Sequence, residues 1–209
     1  MTGTLHLVRH GQTTANAAKI LDTRPPGAPL TEEGQEQARR FATERPGVAP
    51  AALLSSVARR AQQTAGLIGQ GWGVPVHVVD GVQEIQVGEL EGRSDDDAHK
   101  QFEALVRRWH DGDHTAAPVG GESVRDLLAR YLPAVGAIRE RYLPDGDVYL
   151  VSHGAAIRLV AAHLANVDSE FAYKNHLANT AEVILAPAGA GWELVSWGTP
   201  VSSDEDPMG

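Results

Sequence analysis

Residues 4–13 read Thr4-Leu5-His6-Leu7-Val8-Arg9-His10-Gly11-Gln12-Thr13. The run from Thr4 to Val8 alternates and is rich in branched side chains, so it predicts a strand ending at Arg9. A histidine then stands at the strand end, between an arginine and a glycine. The strand–histidine–glycine order returns at Val148-Tyr149-Leu150-Val151-Ser152-His153-Gly154. Between and after these stretches, short branched runs alternate with longer Ala-rich ones. Strands are expected at 52–54, 76–79, 182–185 and 193–197. Helices are expected at 31–44 with Thr31 as cap, at 58–68, 95–109, 122–142 and 155–164. Pro133 should kink or break the 122–142 helix. Strand–helix alternation predicts an α/β sandwich with a mostly parallel sheet. In such sheets the ligand crevice lies at the carboxyl ends of the strands. Arg9, His10, Ser55 and His153 all fall at such ends.

The chain has 209 residues, 42% of them hydrophobic, enough for one core, and a single domain over 1–201 is expected. Residues 202–209 are polar and acidic and should fray. The net charge of −9 and the lack of a long basic run argue against nucleic acid or an anionic membrane as partner. No apolar stretch is long enough to predict a transmembrane helix. Met1 to Leu5 reads as a strand start, not a signal peptide. The absence of cysteine rules out thiolate chemistry and disulfides and fits a cytoplasmic protein. An anionic substrate would need positive charge concentrated locally against this acidic background.

Four segments could do that or act beside it. In Arg9-His10-Gly11, the histidine could meet a phosphate held by the arginine, and Gly11 would let the backbone approach a ligand closely. Taken alone, three residues amount to a polar turn. Arg59 and Arg60 open the 58–68 helix, where cations oppose the helix dipole; an anion bound at that N-terminus would explain them. Ser152-His153-Gly154 repeats the first pattern. Val82-Gln83-Glu84-Ile85-Gln86-Val87-Gly88-Glu89-Leu90-Glu91-Gly92 supplies three glutamates for acid–base work. His110-Asp111-Gly112-Asp113-His114 matches no zinc-type spacing and reads as a polar loop. Trp109 either anchors that segment to the core or roofs the pocket.

Taken together, these segments resemble the histidine phosphatase superfamily, which includes the cofactor-dependent phosphoglycerate mutases. Leu7 to Thr13 with Asn16 is similar to its Arg-His-Gly signature. Arg60-Ala61-Gln62-Gln63-Thr64-Ala65 is similar to its arginine helix, and Gln83-Glu84-Ile85 to Gly92 to its acid–base segment. Gly120-Gly121-Glu122-Ser123 resembles its Gly-Glu-Ser turn, and Val151-Ser152-His153-Gly154 its second histidine. Val57-Ala58 departs from the family's usual Asp-Leu, which keeps Arg60 aligned but leaves Arg59 ambiguous.

The resemblance implies a three-layer α/β/α sandwich, phosphoglycerate mutase-like, with a mostly parallel central sheet. It implies that His10 attacks phosphorus and that Glu84 is the acid and base. Arg9, Asn16, Arg60 and His153 would bind phosphate. His153, if protonated, would add a third cation. No metal or cofactor is required, and the implied partner is a small-molecule phosphate ester. The nucleophilic nitrogen of His10 must be unprotonated, so its other nitrogen should donate, as to a carbonyl. Glu84 needs a raised pKa, which a nearby phosphate dianion would supply. Mutases usually follow this glutamate with Arg-His-Tyr and have a longer insertion; Ile85-Gln86-Val87 and the compact segment after it favour a phosphatase. A mutase and an inactive phosphate-binding relative stand as alternatives. Specificity is expected from 20–29 and 94–119, where Arg93, Lys100, Arg107 and Arg108 could greet a second anion or remain plain surface charges. Oligomeric state is open, a homodimer among the options.

Overall fold

The computed structural model describes residues 3–198 and the backbone of Pro200–Val201. Residues 202–209, expected to fray, lie outside the described residues. In chain order the elements begin with β1 (Leu5–Arg9), α1 (Thr14–Ala17), α2 (Glu32–Thr43), β2 (Ala52–Ser56), α3 (Arg59–Trp72) and β3 (Val76–Val79). They continue with α4 (Asp96–His110), α5 (Val124–Arg141), β4 (Val148–Ser152), α6 (Gly154–Ala165) and α7 (Ser169–Lys174). Strands β5 (His176–Leu177), β6 (Glu182–Ala188), β7 (Gly191–Trp197) and β8 (Pro200–Val201) complete the order.

Six strands form one sheet in the order β3-β2-β4-β1-β6-β7. The pairs β3–β2, β2–β4 and β4–β1 are parallel, and β6 and β7 join antiparallel. Side chains on each strand alternate between two cores. Leu5, Leu7, Leu54, Val148 and Leu150 face a large cluster with α4, α5 and α6. Val8, Leu53, Tyr149 and Val151 face a smaller one with α2 and α3. Period-two alternation thus makes one sheet serve two helical layers. The expected three-layer sandwich is the observed fold.

Thr31 caps α2 by accepting from the Gly34 N–H at 3.0 Å. The 122–142 stretch departs from expectation in two ways. Glu122 lies outside the helix, which starts at Val124 behind a Ser123/Asp126 capping box. Pro133 does not break it; α5 runs continuously to Arg141. Pro133 and Ala129 are both exposed, so water can reach the carbonyl whose helical partner the proline removes. Leu127, Tyr131, Val135 and Ile138 bury the opposite stripe. Trp109 anchors α4 to the core, 1% exposed, with its indole N–H donating to the Ala116 carbonyl at 2.8 Å. Among the described residues, no helix is long and apolar enough to cross a membrane.

Candidate active site

The carboxyl ends of β1, β2 and β4 lie side by side, and parallel pairing brings their terminal residues level: Arg9 opposite Ser152, and Ser55 opposite Val151. His10 follows β1 and His153 follows β4, their ring centroids 5.2 Å apart. Arg60, from the first turn of α3, reaches between them. Its Nε lies 3.2 Å from His10 Nε2 and 3.2 Å from His153 Nδ1. Arg9, His10, Asn16, Arg60 and Glu84 line one pocket together with Asp22. His153 is fully buried beneath Arg60 and is held by Ser56. The six residues singled out from sequence therefore converge on one place.

The protonation pattern follows from partners. His10 Nδ1 lies 2.8 Å from the Gly11 carbonyl, which can only accept, so Nδ1 carries the proton. Nε2 is left with its lone pair toward Arg60 and the pocket. Burial, then the charges of Arg60 and Arg9, hold the His10 pKa well below 6.5, against the opposing pull of the Gly11 carbonyl. His153 is arranged in reverse. Its Nδ1 faces the Arg60 N–H and so accepts, while Nε2 meets Ser56 Oγ at 2.7 Å. Burial first, then Arg60, also hold His153 well below 6.5. His153 is therefore a neutral imidazole in this ligand-free site rather than the third cation considered from the sequence.

Glu84 is 3% exposed. Its carboxyl group accepts from the N–H groups of Ile85 at 2.8 Å, Ala155 at 3.2 Å and Ala156 at 2.8 Å. Burial raises its pKa, and those N–H groups and Arg60 oppose the rise without overcoming it. Burial alone thus provides a shift that the sequence reading assigned to a phosphate. Glu84 also occupies the N-terminus of α6. At α3 the first N–H, of Arg59, donates to the Pro26 carbonyl at 2.8 Å. Arg59 is exposed; Arg60 is 2% exposed.

Other parts hold this set in place. Arg9 Nη1 donates to the Leu177 carbonyl at 2.6 Å. Asn179 donates to the His10 carbonyl at 3.0 Å. Asn16, which lines the pocket, accepts through Oδ1 from the backbone and hydroxyl of Thr13, leaving its amide N–H groups outside that pairing. Gly11 also allows a close approach to α2. A Cβ there would collide with the Gly34 carbonyl of α2. Its N–H donates to Thr64 Oγ1 at 3.0 Å.

Sequence reading missed Asp22, Ser56 and Asn179. Asp22 pairs with Arg60 Nη1 at 3.3 Å. It sits in the loop expected to tune specificity, but a lone aspartate there carries no signal. Ser56 and Asn179 matter only through tertiary contacts. A second cavity of about 350 Å³ is lined among others by Lys19, His99, Phe102, Val106, Arg158 and His176. Lys19 precedes Ile20 of the first pocket, and His176 precedes the Leu177 that holds Arg9. The cations expected to greet a second anion are engaged elsewhere or exposed. Arg93 pairs with Asp95 and Asp97, Arg108 with Asp113, Arg107 lies over Tyr173, and Lys100 is exposed. The 110–114 stretch is dispersed: Asp113 binds Arg108 and His110 packs against Tyr173.

Known proteins resemble this chain at modest identity. A probable phosphoglycerate mutase, GpmB, of Salmonella paratyphi A is 26% identical over 201 residues, spanning 96% of this chain and 92% of the relative. Among solved structures, a mycobacterial glucosyl-3-phosphoglycerate phosphatase in complex with VO3 superposes with a TM-score of 0.81 at 28% identity. The match covers 94% of this chain and 99% of that one. A putative α-ribazole-5′-P phosphatase from Escherichia coli gives 0.75 at 25%, covering 95% and 97%. The model of the histidine phosphatase superfamily, branch 1, matches residues 5–200. That span holds both strand-end histidines, Arg60 between them and Glu84 beside them, and the chain belongs to this superfamily.

Proposed function

We propose that the protein hydrolyses phosphate monoesters of small metabolites through a phosphohistidine at His10. The observation that carries this reading is the preset His10 tautomer. Its Nε2 lone pair faces a pocket walled by two guanidinium groups and a buried carboxyl group with a raised pKa.

In the first step the His10 Nε2–phosphorus bond forms as the phosphorus–oxygen ester bond breaks. Glu84 gives its proton to the departing oxygen. Arg9, Arg60 and Asn16 hold the phosphoryl oxygens, and His153 joins them by taking a proton at Nδ1 when the phosphate dianion binds beside it; transfer of this group is catalysed mainly by positioning and electrostatics. In the second step water attacks phosphorus, passes a proton to Glu84, and the nitrogen–phosphorus bond breaks. A bound phosphate takes over the Arg60 N–H that both imidazoles share. The leaving group extends toward the second cavity, whose lining combines Phe102 and Val106 with Arg158 and His176. This suits an ester with both apolar and polar parts.

Mutase chemistry is the competing reading, and the names of the sequence relatives favour it. Ile85 and Val87, which follow Glu84, are both fully buried in the core. They offer no polar group to a returning phosphoglycerate, which favours release to water. The experiment is a screen of metabolite phosphates with the purified protein, following phosphate release and trapping acid-labile phosphoprotein. Release with label on His10 supports the reading. Conversion of 2- to 3-phosphoglycerate outrunning release would replace it with the mutase. Absence of phosphohistidine across the panel would leave a phosphate-binding relative.

A further inference from the structure

The Gly-Glu-Ser turn and α5 contain an arginine that the reaction scheme does not use. Arg130, 18% exposed in its side chain, has all five guanidinium N–H groups engaged. Nε and one Nη2 hydrogen grip Glu122 as a fork, at 2.8 and 2.7 Å. The other three donate to backbone carbonyls of a single segment: Gly81 at 2.9 Å, Gln83 at 2.8 Å and Glu84 at 2.9 Å. Glu122 then closes the loop on the far side. Its Oε2 accepts from the Gln86 N–H at 3.0 Å, and its own N–H donates to the Gln86 carbonyl at 2.8 Å.

We infer that Arg130 and Glu122 are positioning residues that clamp the backbone on both sides of Glu84 and so aim its carboxyl group at the leaving oxygen. This rests on the phosphohistidine reading above. The clamp holds residues 81–86 from the α5 side, while Ala155 and Ala156 of α6 hold the carboxyl group itself. Glu84 is thereby fixed at both its main chain and its side-chain end. Three carbonyls and a carboxylate converging on one planar group demand five donors in a fixed fork. Lysine, with three donors on a rotating ammonium, cannot reproduce that. The glycines agree with a close-packed joint. Gly81 has φ +85°, and a Cβ there would meet the Arg130 carbonyl at 2.7 Å; one on Gly121 would meet the Gln86 carbonyl at 2.5 Å. A displacement of about 1 Å at a catalytic group costs roughly 10²-fold in rate.

A general acid matters most when the leaving group is poor, and that separates positioning from folding. Phosphoenzyme formation is measured by rapid quench for 4-nitrophenyl phosphate and phenyl phosphate, with wild type, Arg130→Lys, Glu122→Gln and Glu84→Gln. The clamp variants should lose about tenfold more on phenyl than on 4-nitrophenyl phosphate, a fraction of the roughly 10²–10⁴-fold that general acid catalysis contributes. Combining either with Glu84→Gln should add little further loss, since both act through one group. Equal losses on the two esters, or none, would overturn the inference. If Arg130→Lys does not melt cooperatively, Glu122→Gln, which keeps the guanidinium, decides by the same ratio. Wild type forming no phosphohistidine with either ester would overturn the phosphohistidine reading instead.

Discussion

The ends of β1 and β4 carry the same local pattern, strand then histidine then glycine, yet their histidines hold opposite tautomers. His10 donates through Nδ1 to the carbonyl of its own neighbour Gly11, and presents Nε2. His153 donates through Nε2 toward Ser56 of another strand, and presents Nδ1. Arg60 stands at 3.2 Å from each. Two copies of one motif can therefore perform different tasks, because the partner of the far ring nitrogen decides which nitrogen faces the substrate.

Deleting the nucleophile should break the comparison most severely. His10→Ala should abolish trapped phosphoprotein and lower turnover by at least about 10⁴-fold, leaving what binding alone supplies. His153→Ala should lower kcat by roughly 10²-fold, the scale of losing one oxyanion contact, while leaving phosphohistidine detectable. Loss of label in both variants would mean the two rings are not divided as described. Ser56→Ala removes the hydroxyl that orients His153 and that also accepts from the Ala58 N–H at 3.2 Å. One hydrogen bond of about 1 kcal/mol corresponds to roughly fivefold in rate, read as kcat on 4-nitrophenyl phosphate.

A pH series sharpens the point that the rings share a buried, neutral state. Burial and the neighbouring arginines hold both folded pKa values below the ordinary imidazole value of about 6.5. The unfolded chain therefore takes up protons that the folded chain refuses. This contribution to stability is fully present above about pH 6.5 and is lost as pH falls below it. The melting temperature should drop from about pH 7 to about pH 5, and His153→Gln should flatten that drop. An unchanged slope would show that His153 is not buried neutral. The smallest effect lies away from the site: Thr31→Ala should cost about 1 kcal/mol by urea unfolding, with kcat intact.

The fold was legible because its signals are local. Alternation along Leu5–Arg9 and Val148–Ser152, and the Thr31 cap, reflect backbone chemistry that acts over a few residues. Arg9, His10, Arg60, Glu84 and His153 were legible as parts of short motifs at strand or helix ends. Pro133 does not produce the break that was one of the two expected outcomes, since a proline's cost depends on whether water reaches the carbonyl it orphans, and solvent exposure is a tertiary property. The close neighbour of Gly11 was not legible for a similar reason: it is the backbone at Gly34, on a helix that begins some twenty residues later. The two short strands β5 and β8 and the helix α7 carry too few residues for any periodicity to register.

Residue type, strand-end position and the order of the family-like motifs, all present in the sequence, determined that two histidines, two arginines and a glutamate would meet at one edge of a parallel sheet. The tertiary structure alone decided how each is charged and aimed. Burial lowers His10 and His153 and raises Glu84, and the Ser56 hydroxyl sets one tautomer. The five-donor fork of Arg130 grips carbonyls some fifty residues away. Desolvation and hydrogen-bond direction depend on what surrounds an atom in space, and a linear pattern of residue types does not contain that.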